Sequence, residues 1–242
     1  MGFMLDEIVP WGRCYDEYVA MFDLNDVDLE RRILGCGDGP AGFNAGLTER
    51  GGHVVSIDPL YRFNVGQIRC RIAETFDRVM TKLRANESDY LWHTIPSPDD
   101  LGRIRLAAMD AFLSDFDSGR RAGRYVAGAL PSLPLADDSF DIALSSHFLF
   151  LYSVHMSAQF HLQAIREMLR VAREVRLFPL LTLDGKPSPH VDFVAGELAG
   201  QGLDVVRKHV AYEFQRGANE MLVVRRTASD LRRAGASSPC AS

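Results

Sequence analysis

The chain has 242 residues, 47% of them hydrophobic, enough apolar material for one large core or two small ones, which excludes a disordered chain and a mini-protein scaffold. Lys and Arg number 27 against 32 Asp and Glu, a net charge of -5, so binding nucleic acid mainly by neutralising phosphates is disfavoured and no such partner is expected. Four cysteines without a CxxC pair, and Asp6 and Glu7 where an export signal needs a basic start and an apolar run, point to a cytoplasmic protein without disulfides.

In chain order, Tyr15, Tyr18, Val19 and Phe22 fall at helical spacings and predict a helix over Cys14 to Phe22. Arg32-Ile33-Leu34 reads as a first strand that stops in Gly35-Cys36-Gly37-Asp38-Gly39, and Pro40 suits the first turn of a helix running towards Arg50. Gly51-Gly52 ends that helix, and His53 to Ile57 reads as a second, buried strand finishing at Asp58. Two long amphipathic helices follow. The first places Val65, Ile68, Ile72, Phe76, Val79 and Leu83 on one stripe. The second has Ser97 as N-cap and Pro98 at its first position, with Leu101, Ile104, Ala108, Phe112 and Phe116 on one face. Inserted after the second strand and so near the carboxyl edge of the sheet, residues from about 60 to 123 are expected to form a helical lid or substrate-facing cap.

Arg124 to Ala127 and Ile142 to Leu144 read as the third and fourth strands, Ala158 to Arg170 as a helix, and Glu174 to Phe178 as a fifth strand. His190 to Ala199 reads as a helix, after which Asp204 to Val210 and Met221 to Arg225 are joined by too short a connection for a crossover helix and must pair antiparallel. The Ser-, Ala-, Gly- and Arg-rich end, residues 227–242, reads as a tail, leaving 1–226 as a single domain. The greasiest run, Phe148 to Tyr152, falls far short of the ~20 residues that span a bilayer, and no membrane partner is expected.

A glycine loop between the first strand and helix, with an acid ending the second strand, is a nucleoside-binding arrangement at the switch point of a doubly wound sheet. Asp58 offers acceptors to ribose hydroxyls, and the glycines let a ligand approach bare main chain. The loop alone fits two patterns. Gly37, Gly39 and Gly42 satisfy GxGxxG, with Asp58 21 residues beyond Gly37 and so near the ~20 of a dinucleotide site. Gly35, Gly37 and Gly39 satisfy the denser GxGxG equally well.

Ile33-Leu34-Gly35-Cys36-Gly37-Asp38-Gly39, with Asp58 ending the next strand, resembles the first two motifs of class I S-adenosylmethionine-dependent methyltransferases. Leu133-Pro134-Leu135-Ala136-Asp137-Asp138-Ser139-Phe140-Asp141-Ile142-Ala143 looks like the LPFPDxSFDxV stretch leading into their fourth strand, and the likeness runs from about Leu29 to Arg226 apart from the inserted helices. It implies an α/β, Rossmann-like, doubly wound and mainly parallel seven-stranded sheet with an antiparallel last strand. It implies S-adenosylmethionine as cofactor and methyl transfer to a small-molecule acceptor. Cofactor contacts carry over to Gly35, Cys36, Gly37, Gly39, Asp58, Pro59, Ala129, Leu130 and Ser145. Two positions depart from the pattern. Ile33 stands where the family often has an acid at the methionine end, and Ala129 where an acid often takes the adenine amino group, so main chain around Ala129 and Leu130 is the expected adenine contact.

Displacement of a methyl group needs positioning more than covalent help, and near-attack geometry can supply ~7–11 kcal/mol. His147, just past the fourth strand, is the candidate general base; its alternative role is packing the next helix. Phe148 is a candidate acceptor-pocket wall, the alternative for its run being core, and Arg62 and Arg69 are candidates to grip an acidic acceptor, the alternative being solvated helix charges. His155 and His161 point to opposed sides of a helix, so no zinc site is expected. Two rival readings stay open: a NAD-dependent oxidoreductase using Gly37, Gly39 and Gly42, and an S-adenosylmethionine-binding module without turnover.

Overall fold

The computed structural model describes residues 9–227. The described chain opens with α1 (Tyr15–Met21) and a short α2 (Asp26–Leu29), then runs through β1 (Arg32–Cys36), α3 (Phe43–Glu49) and β2 (His53–Ile57). Two long helices follow, α4 (Val65–Ala85) and α5 (Pro98–Arg121), then β3 (Tyr125–Val126) and β4 (Phe140–Ser146). The remainder is α6 (Ala158–Val171), β5 (Ala172–Phe178), α7 (Val191–Gly200), β6 (Asp204–His209) and β7 (Glu220–Arg225).

The strands form one sheet in the order β3-β2-β1-β4-β5-β7-β6. Pairs from β3 to β5 are parallel, and β7 runs antiparallel to both β5 and β6. Order and directions are those of the Rossmann-like methyltransferase fold that the resemblance implies. The alternation of side chains along each strand explains why both faces are covered. Ile33, Ile142, Leu144 and Val223 point to one face, packing with Tyr18, Phe22 and Phe43 of the amino-terminal helices. Leu34, Ala143, Val175, Leu222 and Val224 point to the other, against Leu162, Ile165 and Met168 of α6 and Val194 and Leu198 of α7. Among the described residues no helix is long and apolar enough to cross a membrane.

Three local differences from the sequence expectations bear on the site. β1 continues through Gly35 and Cys36, because both pair in register with β2 at Ser56 and Ile57. α3 begins only at Phe43, with Gly42 at its N-cap, so Pro40 lies in the turn rather than in the helix. Left-handed backbone at Gly37 (φ +69°) and Gly39 (φ +54°) keeps the chain out of helical register until then. The turn Pro59–Arg62 is a short 3-10 helix capped by the Asp58 side chain, which the sequence pattern did not reveal.

The two long helices are not equivalent. α5 packs on α3 as well as on α4, and its Phe112 and Phe116 enclose Tyr61 and Tyr125. It therefore occupies the crossover position between β2 and β3, and α4 is the helix added outside it. The buried stripe of α4, Ile68, Ile72, Val79 and Leu83, matches the predicted stripe, while Val65 and Phe76 are only partly buried. The expected tail lies, from residue 228 on, outside the described residues.

Candidate functional site

A cavity of about 690 Å³ opens beyond the carboxyl ends of β1, β2 and β4. Its size falls within the range of small-molecule sites, ~300–1,000 Å³. The glycine loop, the turn after β2, the chain after β3 and the chain after β4 form its floor. The cap and the amino-terminal segment close it from above with apolar and aromatic groups such as Trp11, Phe63, Val79, Leu83 and Tyr90.

Asp58, half-buried, ends β2 and holds the loop. Its Oδ2 accepts the Gly39 N–H at 2.9 Å and its Oδ1 accepts the Leu60 N–H at 2.7 Å. Burial pushes its pKa up, and these two bonds work against that shift. A carboxylate has about four acceptor sites, so Asp58 keeps two for a ligand. Tyr61 donates its hydroxyl to the Gly39 carbonyl at 2.7 Å, fixing the loop from the cap side. A Cβ built on Gly39 would meet nothing within 4 Å, so this stretch of main chain faces open space.

Asp38, inside the glycine loop, is buried and folds back over Gly35. A Cβ at Gly35 would lie 1.8 Å from Asp38 Oδ2, so only glycine fits there. Tyr18 donates its hydroxyl to Asp38 Oδ1 at 3.0 Å, and Ser56 donates to Oδ2 at 2.7 Å. Burial raises the Asp38 pKa to about 6; the Ser56 and Tyr18 bonds oppose the rise and the Asp58 charge adds to it. No role for Asp38 was read from the sequence, where it passes as one loop residue among glycines, and Tyr18 as one member of an apolar helix stripe.

Most of the residues singled out from the sequence meet at this cavity. Gly37, Gly39, Asp58, Pro59, Arg62, Ala129, Leu130, His147 and Phe148 all line it. The Phe148 ring lies over Gly37, 2.8 Å from where a Cβ would stand, while Leu149 and Phe150 of the same run are core. Four residues are not among its walls. Gly35 is covered by the Asp38 carboxylate. Cys36 points from β1 into the core beside α6, where burial raises its thiol pKa well above the ordinary value. Ser145 is buried in β4, its hydroxyl without a partner among the described residues. Arg69 lies on the exposed side of α4, 3.5 Å from Asp110, because its position is off the apolar stripe.

His147 has left-handed backbone (φ +52°) and its Nδ1 lies 2.9 Å from Ser146 Oγ. Burial, then the charges of Arg13 and Arg105, hold its pKa well below the usual histidine range, so the ring is neutral at pH 7. Arg105 is itself buried and bonds Glu17 through both terminal nitrogens, and Tyr212 donates to Glu17 Oε1 at 2.9 Å. Arg105 and Glu17 are 88 residues apart, so no local spacing pointed to the pair.

No protein-family model matches the chain. It is 31% identical over 223 residues to the uncharacterised protein MJ0045 of Methanocaldococcus jannaschii, an alignment covering 92% of this chain and 98% of the archaeal one. Among solved structures it is similar to the magnesium protoporphyrin IX methyltransferase of Synechocystis PCC 6803 with bound SAM, at 12% identity over 88% of this chain and 78% of that one, with a TM-score of 0.48. It is also similar to a SAM-dependent methyltransferase of Thermotoga maritima, described as a possible histamine N-methyltransferase, at 14% identity over 86% of each chain, with a TM-score of 0.40.

Proposed function

The chain belongs to one family with the Methanocaldococcus jannaschii protein, and from its fold and cavity we propose that it binds S-adenosylmethionine and transfers the methyl group to a small-molecule acceptor. The observation that carries this reading is Asp58, a half-buried carboxylate at the end of β2 beside bare main chain at Gly39, with acceptor capacity left over for a pair of ribose hydroxyls. The cavity is large enough for the cofactor and an acceptor of modest size together.

In this reading Asp58 holds the ribose, Ala129 and Leu130 present main chain to the base, and the loop at Gly37 to Gly39 underlies the amino-acid end. Ile33, where the family often has an acid, is fully buried in the core. Asp38 is the carboxylate that takes its place beside the loop, held there by Tyr18 and Ser56. The bound cofactor supplies an electrophilic methyl group on a sulfonium. The protein's part is to align the acceptor and exclude water, which the aromatic walls of the cap do. His147 faces the cavity as a neutral imidazole with a lone pair able to take a proton from an acceptor hydroxyl or amine.

Calorimetric titration with S-adenosylmethionine tests the reading. Wild type is expected to bind, and Asp58→Ala to weaken binding by ~1.5–3 kcal/mol, the value of a hydrogen bond to a charged group. Release of S-adenosylhomocysteine on incubation with a metabolite extract would then show turnover. Tight binding of NAD with none of the methyl donor would overturn the proposal in favour of the oxidoreductase reading, and donor binding without any turnover would favour the module.

A further inference from the structure

The charged groups of the cavity are unevenly divided. Its two lining carboxylates, Asp38 and Asp58, both lie at the glycine loop. Arg13 and Arg105, with Tyr90, Tyr152 and Tyr212 near Arg13, make up the lobe beside the amino-terminal segment, while Arg62 and Arg71, the latter 3.5 Å from Glu74, line the cavity elsewhere. Arg13 directly precedes the N-cap of α1, and its carbonyl accepts the Gly42 N–H at 2.9 Å, which anchors residue 13 at the start of α3. Its side chain reaches the cavity, where Nη1 makes one long bond, 3.4 Å, to the Trp11 carbonyl. Among the described residues its Nε is buried with no partner.

The nearby carboxylate attracts it but has no acceptor site left to bond it. Glu17 Oε1 accepts from Arg105 Nη2 at 2.7 Å and from Tyr212 at 2.9 Å; Oε2 accepts from Arg105 Nη1 and from the Cys14 N–H at 3.1 Å. Four bonds use the full acceptor capacity of a carboxylate. Arg105 is neutralised by Glu17, His147 is neutral, and Arg13 forms no ion pair among the described residues. Among the described residues one half-buried positive charge, its Nε shut away from solvent, is left over. Burying a charge is costly unless it is paired, so this lobe is built to receive an anion.

We propose, on the methyl-transfer reading above, that the acceptor is a small acid with an apolar or aromatic body, and that Arg13 binds its carboxylate. The aromatic walls enclose the body, and the guanidinium fork offers the planar, two-pronged geometry that suits a carboxylate. Arg62 and Arg69, the cations suggested by sequence, are less suited: Arg62 sits over the Phe63 ring on the Asp58 side, and Arg69 lies outside the cavity.

The test uses the full chain saturated with S-adenosylhomocysteine, with benzoate as probe and benzamide as its uncharged counterpart. Wild type is expected to prefer benzoate by about 10- to 100-fold. Arg13→Gln should abolish that preference, and Arg13→Lys should keep part of it, with S-adenosylhomocysteine affinity unchanged in both. Equal affinity for the two probes in wild type would overturn the proposal. So would a loss of S-adenosylhomocysteine affinity in Arg13→Gln, which would assign the arginine to the cofactor's own carboxylate. Failure of wild type to bind S-adenosylhomocysteine at all would overturn the methyl-transfer reading itself, and the proposal with it.

Discussion

Asp38 shows how one side chain serves stability and function in opposite senses. Its pKa is raised from 3.8 to about 6 by burial, so folding favours its protonated form. The contribution of this proton is fully present below pH ~4 and is lost as the pH rises through about 6, leaving a buried charge at neutral pH. Asp38→Asn removes that charge and keeps an acceptor for Tyr18 or Ser56. It is expected to stabilise the ligand-free protein at pH 7 by about 1–3 kcal/mol, with the gain vanishing near pH 4. Denaturant unfolding at the two pH values checks this. S-adenosylmethionine affinity should fall in the same variant, because the proposed partner of the amino-acid end is gone; a variant less stable at pH 7 would show that the charge is well solvated. Asp58 differs in that main-chain N–H groups partner both its oxygens, so its carboxylate orders the loop even without a ligand.

At the scale of elements, local chemistry decided where helices begin, and packing decided what they do. Ser97 accepts the Asp100 N–H at 3.1 Å and donates to Asp100 Oδ2 at 2.6 Å, with Pro98 and two acids in the first turn of α5, as its sequence signature predicts. Ser97→Ala is expected to cost ~1 kcal/mol, seen as a lower denaturant midpoint with an unchanged slope. S-adenosylmethionine affinity should not change, since Ser97 is not among the cavity walls; a large loss of affinity would show that α5 shapes the site from its amino end. The division of labour between α4 and α5 was not legible. Both carry an apolar stripe, and a stripe says that a face is buried without saying against what. The 3-10 turn at Pro59–Arg62 leaves no sequence signal because four residues show no period, yet its Tyr61 clamps Gly39 through the hydroxyl.

At the scale of the whole molecule, Glu17, Arg105 and Tyr212 tie the amino-terminal helix to α5 and to the loop between β6 and β7, so the cavity is closed by three distant parts of the chain. Burial alone would raise the Glu17 pKa; the charge and bonds of Arg105 outweigh it and bring it down to about 2. A depressed carboxylate contributes stability that is complete above its unfolded value, 4.5, and is lost as the pH falls towards about 2. Acidification from pH 5 to pH 2.5 should therefore remove up to about 3 kcal/mol through this pair. Glu17→Gln should cost ~3–5 kcal/mol at pH 7, because it strands Arg105, and should flatten that part of the acid limb. An acid limb as steep in the variant as in wild type would place the titrating groups elsewhere.

The order of elements, the parallel sheet with its reversed end, and the glycine loop facing an acid at the end of the second strand followed from sequence. These depend on short-range chemistry, the period of apolar residues and the residues that start and stop helices, which neighbouring positions encode. The cluster around Arg13, proposed to bind the acceptor, did not follow. Arg13, Glu17, Arg105 and Tyr212 come from distant segments, Glu17 and Tyr212 being 195 residues apart, and each reads locally as an ordinary helix or loop residue. Only the packing of α5 and the last hairpin around the amino-terminal helix saturates Glu17 and leaves Arg13 without an ion pair among the described residues, because charge balance in such a site belongs to the cluster and is invisible in any one of its members.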